Sequence, residues 1–161
     1  MRRRFLAVPA AVVALGLLPL AGTASADSFL DPAHPCPPGV SVPAAPFRDR
    51  ASIPDVHRLN VDCAAALAIA MGRSDGSFGP GDSTMRDQMA SFVVRTLTAA
   101  GYTVPPAGSQ GFTDIGGNSH ADDINRLAAL GIVKGTTKST YSPASPVSRE
   151  QMASFLIRAA Q

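Results

Sequence analysis

This 161-residue sequence predicts an all-α protein of two tandem helix–loop–helix repeats. Three observations carry that expectation. The second half of the chain repeats the first at a constant offset of 63 positions. Within each copy, apolar residues recur at the three-to-four spacing of an amphipathic helix. Between those stretches lie glycines, prolines and hydroxyl residues that start and stop helices.

The duplication is read residue by residue. His57 falls on His120, Leu67 on Leu130, Ile69 on Ile132 and Gly72 on Gly135. Phe78 then meets Tyr141, Pro80 meets Pro143 and Arg86 meets Arg149. The block Gln88-Met89-Ala90-Ser91-Phe92 recurs as Gln151-Met152-Ala153-Ser154-Phe155, and Arg95 and Arg158 close the copies. Upstream, Phe47-x-Asp49 corresponds to Phe112-x-Asp114, displaced by two further residues in the loop before His57. An unbroken register of this kind marks a repeat architecture rather than a shared composition.

Taken in order, residues 1–26 read as a signal peptide. Arg2-Arg3-Arg4 precedes an apolar run to Leu20 and an Ala24-Ser25-Ala26 cleavage site. The run is short for a membrane span, so no span is expected after cleavage. Residues 27–46 are a Pro-rich arm, 47–100 the first repeat, 101–111 a Pro/Gly linker and 112–161 the second repeat. In repeat one the helices are expected over about Leu59–Ala70 and Arg86–Leu97. In repeat two, Ala121–Ile132 places Ile124, Leu127, Ala128 and Ile132 on one face, with Ser119 as N-cap. The last helix follows Ser148, which forms a capping box with Gln151, and its apolar face is Met152, Phe155 and Leu156. Met85 stands where Ser148 stands, so the corresponding helix lacks a side-chain oxygen at its cap.

Charge excludes one partner class. The whole chain has 14 basic and 12 acidic residues, and the leader holds three of the basic ones. The exported chain is therefore near neutral, with nothing to track a phosphate backbone, and nucleic acid is not expected as a partner. The two cysteines, Cys36 and Cys63, read as a disulfide in an exported protein. Such a loop of about 27 residues would restrict the unfolded chain by roughly 3–4 kcal/mol. The alternative is that Cys63 is a buried thiol on an alanine-rich helix.

Enzyme chemistry is not expected. No Gly-x-Ser-x-Gly elbow, phosphate-cradling loop or dinucleotide fingerprint occurs. His57 and His120 lack neighbours at ligand spacing, so they read as polar-surface or capping residues and no metal or cofactor is expected. Asp75-Gly76-Ser77 lacks the acidic series of a calcium loop and reads as a turn.

The order Phe-x-Asp, alanine-rich helix, Ile/Gly ending, polar loop with aromatic-x-Pro, then Arg at the next helix start resembles the S-layer homology family. The strings GIVKGTTKSTYSPASPVSREQMASFLIRA and AIAMGRSDGSFGPGDSTMRDQMASFVVRT carry the resemblance, over roughly Phe47 to Ala160. It implies repeats packed as a small pseudo-symmetric helical bundle. It also implies non-covalent attachment to bacterial cell-wall secondary polysaccharide, often acidic and pyruvylated, and a secreted, wall- or surface-associated protein. The family's Thr-Arg-Ala-Glu motif places its arginine at Arg86 and Arg149, its glutamate at Gln88 and Gln151, and its hydroxyl at Ser148. These residues, with Asp49 and Asp114, are the candidate glycan ligands. An arginine beside the unpaired amides of a helix start suits a carboxylate. The alternative is that each arginine pairs with Asp49 or Asp114, or covers the core with its stem. Two copies, where the family commonly has three, leave dimerisation, weak binding or a different role open. A secreted structural module that self-associates or holds a protein partner is the competing function.

Overall fold

The computed structural model describes residues 36–37 and 40–161, and the expected leader and most of the arm lie outside them. Four helices follow a 3-10 turn at Arg50–Ser52: α1 Asp55–Ala66, α2 Arg86–Ala99, α3 Ala121–Ala129 and α4 Arg149–Ala159. Among the described residues there is no strand, only a single antiparallel bridge between Met85 and Pro146. The described residues are all-α, as the periodicity predicts. No helix among the described residues is long and apolar enough to cross a membrane.

Helix ends explain where the sequence reading missed. α1 starts at Asp55 rather than Leu59, because Pro54 begins the turn and its carbonyl accepts from the amides of His57 and Arg58. It ends at Ala66, four residues before the expected Ala70. Ala68 is left-handed (φ 55°), and the amides of Ala68 and Ile69 return to the carbonyls of Ala65 and Ala64. α3 ends the same way: Gly131 is left-handed (φ 72°), with its amide and that of Ile132 bonded to Ala128 and Leu127. Both are Schellman closures, which stop a helix by consuming its last carbonyls. Ile132 is therefore beyond α3, although its side chain still joins the core. The residue preceding α3 is His120, not Ser119; its side chain makes no cap bond, and its amide donates to Asn118 Oδ1 at 2.8 Å. α4 has the expected capping box, with Gln151 N–H donating to Ser148 Oγ and Ser148 N–H to Gln151 Oε1. α2 keeps half of it, since Met85 N–H donates to Gln88 Oε1 at 3.1 Å.

The core belongs mostly to one junction. Met89, Ala90, Val93 and Val94 of α2 pack with Ile124 and Leu127 of α3, then with Ile132, Val133, Tyr141 and Phe155. α2, from repeat one, is thus buried by repeat two. α4 contributes only Phe155 fully to this core; Met152 is half-buried, and Leu156, expected inside, is exposed. α1 lies outside this cluster, where Cys63, Ala70, Ile53, Phe47 and Ala45 are buried around it.

The chain ahead of repeat one is tied to α1 by two bonds. Cys36 and Cys63 form a disulfide with Cα atoms 5.6 Å apart. Asp62, buried on the same helix, accepts from Ala45 N–H at 2.9 Å and from both Nε and Nη2 of Arg50. The Arg50 guanidinium, with the Ala45 amide, holds the Asp62 carboxyl below its ordinary value despite burial. Repeat-equivalent helix ends that differ by a side chain give a stability test. Left-handed backbone costs an L-residue roughly 1–2 kcal/mol that glycine does not pay. Ala68→Gly is expected to raise unfolding free energy by about 1 kcal/mol, and Gly131→Ala to lower it by about as much, read from urea midpoints at unchanged m.

Candidate functional site

Phe-x-Asp is a clamp built twice. In repeat one, Asp49 accepts from the amides of Phe78 and Gly79 at 2.8 and 2.9 Å. In repeat two, Asp114 accepts from Tyr141 and Ser142 at 2.8 and 2.7 Å. The aromatic two residues earlier packs on the ring it has brought close: Phe47 on Phe78 at 5.2 Å, Phe112 on Tyr141 at 5.5 Å. Gly135 must be small here, because a Cβ would meet Thr137 O at 2.4 Å, Thr140 O at 2.5 Å and the Phe112 ring at 2.8 Å. Each clamp fixes the loop that leads into its repeat's second helix. The Phe78 and Gly79 amides hold the Asp49 carboxyl below its ordinary value. At Asp114 burial pushes upward, and the Tyr141 and Ser142 amides outweigh it.

Arg86 locks the first repeat onto the second. Its side chain is buried, with Nε donating to Tyr141 O at 2.9 Å and Nη2 to Lys134 O at 3.0 Å. The guanidinium lies 4.6 Å from the Tyr141 ring centre and 5.6 Å from that of Phe155, within cation–π range. Tyr141 Oη donates back to Arg86 O at 2.9 Å, and burial pushes its hydroxyl up to about 12. The backbone joins in: Arg86 N–H donates to Ser145 O, Asp87 N–H to Pro143 O, and Val147 N–H to Thr84 O. Beside it, Ser91 Oγ donates to Asp123 Oδ2 at 2.6 Å. With that proton committed, Ser91 accepts from Nδ1–H of His120 at 2.7 Å. Asn118 Nδ2 donates to Asp87 Oδ2 at 2.9 Å. His120 is therefore an inter-repeat contact, whereas its counterpart His57 is exposed on α1.

A cleft of about 410 Å³ opens next to this lock. Arg86 and Phe155 reach it from the core, and Lys134, Glu150, Gln151, Ser154 and Arg158 line it. Of the residues singled out from sequence, Arg86 and Gln151 line the cleft. Arg149, Ser148, Asp49, Asp114 and Gln88 do not line it. Arg149 is exposed and its side chain makes no hydrogen bond or ion pair, while Gln88 is spent on its own helix start. Lys134 and Arg158 carry the cleft's remaining positive charge; nothing in the sequence pointed to Lys134, and Arg158 had only its identity with Arg95. Ser154 had one signal, its identity with Ser91 in the duplicated block. Among the described residues no group of three His, Cys, Asp or Glu could hold a metal.

Residues 111–153 match the family model of the S-layer homology domain. The match covers the clamp of Asp114, α3, the loop that seats Arg86 and the first half of α4. Domains of this family are binding modules, not enzymes, and anchor proteins to cell-wall polysaccharide. Proteins that carry such domains are associated with the cell surface or wall. No curated protein and no solved structure matches the chain.

The repeat-equivalent arginines should separate in unfolding experiments. Arg86→Ala strands one buried and one part-buried carbonyl and removes the cation over two rings, so a loss of roughly 3 kcal/mol is expected. Arg149→Ala should stay within about 0.5 kcal/mol of the parent. A pH titration tests the clamps. Carboxyls whose values are lower folded than unfolded stabilise above the ordinary aspartate value of 3.8, and that contribution is lost as pH falls below it. Stability should therefore drop between about pH 5 and 2, and drop less steeply in the Asp49→Asn/Asp114→Asn variant.

Proposed function

We propose that this chain is an exported, non-catalytic module that binds acidic wall polysaccharide in the cleft beside Arg86. The carrying observation is the cleft itself: the segment matched by the wall-anchoring domain supplies Lys134, Glu150 and Gln151 to it, and its basic side chains outnumber its single acid. Lys134 and Arg158 offer charge to a carboxylate such as a pyruvyl ketal, and Gln151 and Ser154 offer hydrogen bonds to sugar hydroxyls. Arg86 shapes the cleft by fixing the Lys134–Tyr141 loop, with Nε and Nη2 of its guanidinium bonded to the carbonyls at the loop's two ends. On this reading the first repeat builds the second repeat's site, and two repeats suffice for one cleft. Export rests on the basic, apolar leader of residues 1–26.

The test is sedimentation with purified walls. Parent protein should pellet with walls, and walls stripped of their acidic polysaccharide should leave it in solution. Lys134 is exposed at its side chain's edge of the cleft, so Lys134→Glu leaves the fold intact. It should weaken retention about tenfold or more, the scale of one charge-assisted hydrogen bond. Equal pelleting of parent and Lys134→Glu would remove the cleft from the account. A parent that never pellets would remove the polysaccharide.

A further inference from the structure

α2 and α4 are the same helix by sequence and opposite in environment. Val93 and Val94 of α2 are 6% and 5% exposed, covered by repeat two. Their equivalents on α4, Leu156 and Ile157, are 56% and 63% exposed, and Ala153 beside them is exposed too. End units of a stacked repeat array normally turn a polar face to water, and α4 does not.

The missing cover can be named from the junction already present. α2 is covered by α3, whose counterpart in repeat one is α1. The contacts map directly: Ser91 with His120 and Asp123 becomes Ser154 with His57 and Asn60. The side chains of Ser154, His57 and Asn60 make no hydrogen bond in the chain, and Val61 and Ala64 on α1, the counterparts of the buried Ile124 and Leu127, are only half-buried. The arginine lock maps too. Arg149, the counterpart of Arg86, is free. Its seat would be the carbonyls of Met71 and Phe78, counterparts of Lys134 and Tyr141. Neither carbonyl accepts a hydrogen bond, and Met71 is 65% exposed. Phe78 and Phe92, the counterparts of the buried Tyr141 and Phe155, are only half-buried.

Both halves of a second, unmade junction are therefore carried on one chain, yet Arg149 does not reach its seat within that chain. The geometry points to a second copy of this protein as the occupant: α4 and Arg149 of one copy receive α1 and the Met71–Phe78 loop of the next. Donor and acceptor surfaces differ, so the contact is heterologous and joins copies head to tail. Ser154 lines the open side of the cleft, so the incoming His57 and Asn60 would complete its wall. The inference does not depend on polysaccharide binding, because its tests contain no glycan.

The experiment is light scattering on the purified chain across a concentration series, with a paired cross-link. The parent should exceed the monomer mass increasingly with concentration. Ile157→Asp, at an exposed position, should be monomeric with unchanged helical signal and melting temperature. Ser154→Cys and Asn60→Cys proteins should cross-link through a short bismaleimide when mixed, and neither should cross-link alone. A parent that stays monomeric to about 100 μM with no mixed cross-link overturns the proposal. An oligomer indifferent to Ile157→Asp, or Ser154→Cys cross-linking to itself, overturns it equally.

Discussion

Everything in the second repeat is organised around a guanidinium that belongs to the first. Arg86 donates to two backbone carbonyls from opposite ends of one loop and covers two aromatic rings. A buried cation is tolerable where hydrogen bonds and aromatic faces replace the water it has lost. Planarity matters, because a lysine would present a point charge with no fork to span two carbonyls. The loop that receives it is also clamped by Asp114, through hydrogen bonds within its own repeat. The junction thus combines a clamped loop with a helix start that fits it, and the apolar contacts of α2 with α3 lie alongside.

Because the lock is asymmetric, identical sequence blocks acquire different roles. Gln88-Met89-Ala90-Ser91-Phe92 becomes the centre of the core, while Gln151-Met152-Ala153-Ser154-Phe155 borders a cleft and open solvent. The wall-binding reading and the head-to-tail reading both draw on this asymmetry. A polar cleft exists because nothing covers Ser154, and an apolar face is bare because nothing covers Ile157. Repeat one spends its chemistry on structure, and repeat two keeps its own for a ligand or neighbour. That division also fits the family match, which falls on the second repeat.

Much of the fold was legible because the repeat prints its physics twice. The helix periodicity, the Ser148 cap and the buried Ile124 and Leu127 all follow from local spacing and appear where expected. The errors cluster at helix ends. Pro54 started α1 earlier than its apolar residues suggested, and the closures at Ala68 and Gly131 ended α1 and α3 before the last apolar residue. An apolar side chain beyond a Schellman turn still reaches the core, so hydrophobic pattern alone overruns the helix. Leu156 failed for a different reason: amphipathic spacing says that a face wants covering, not that anything covers it.

Element types, the duplication and the residues of both clamps follow from local sequence, since these depend on neighbours within one repeat. Asp49 and Asp114 meet amides of their own loops, and any isolated repeat of this sequence offers the same partners. The fate of residues facing another repeat is set by packing between repeats. Arg86 and Arg149 are indistinguishable in sequence, at matching positions of matching helices. One is buried because a clamped loop lies beyond its helix start, and the other is in water because the chain supplies no such loop there. Burial is a property of what stands opposite, and which repeat stands opposite which is set by three-dimensional packing alone.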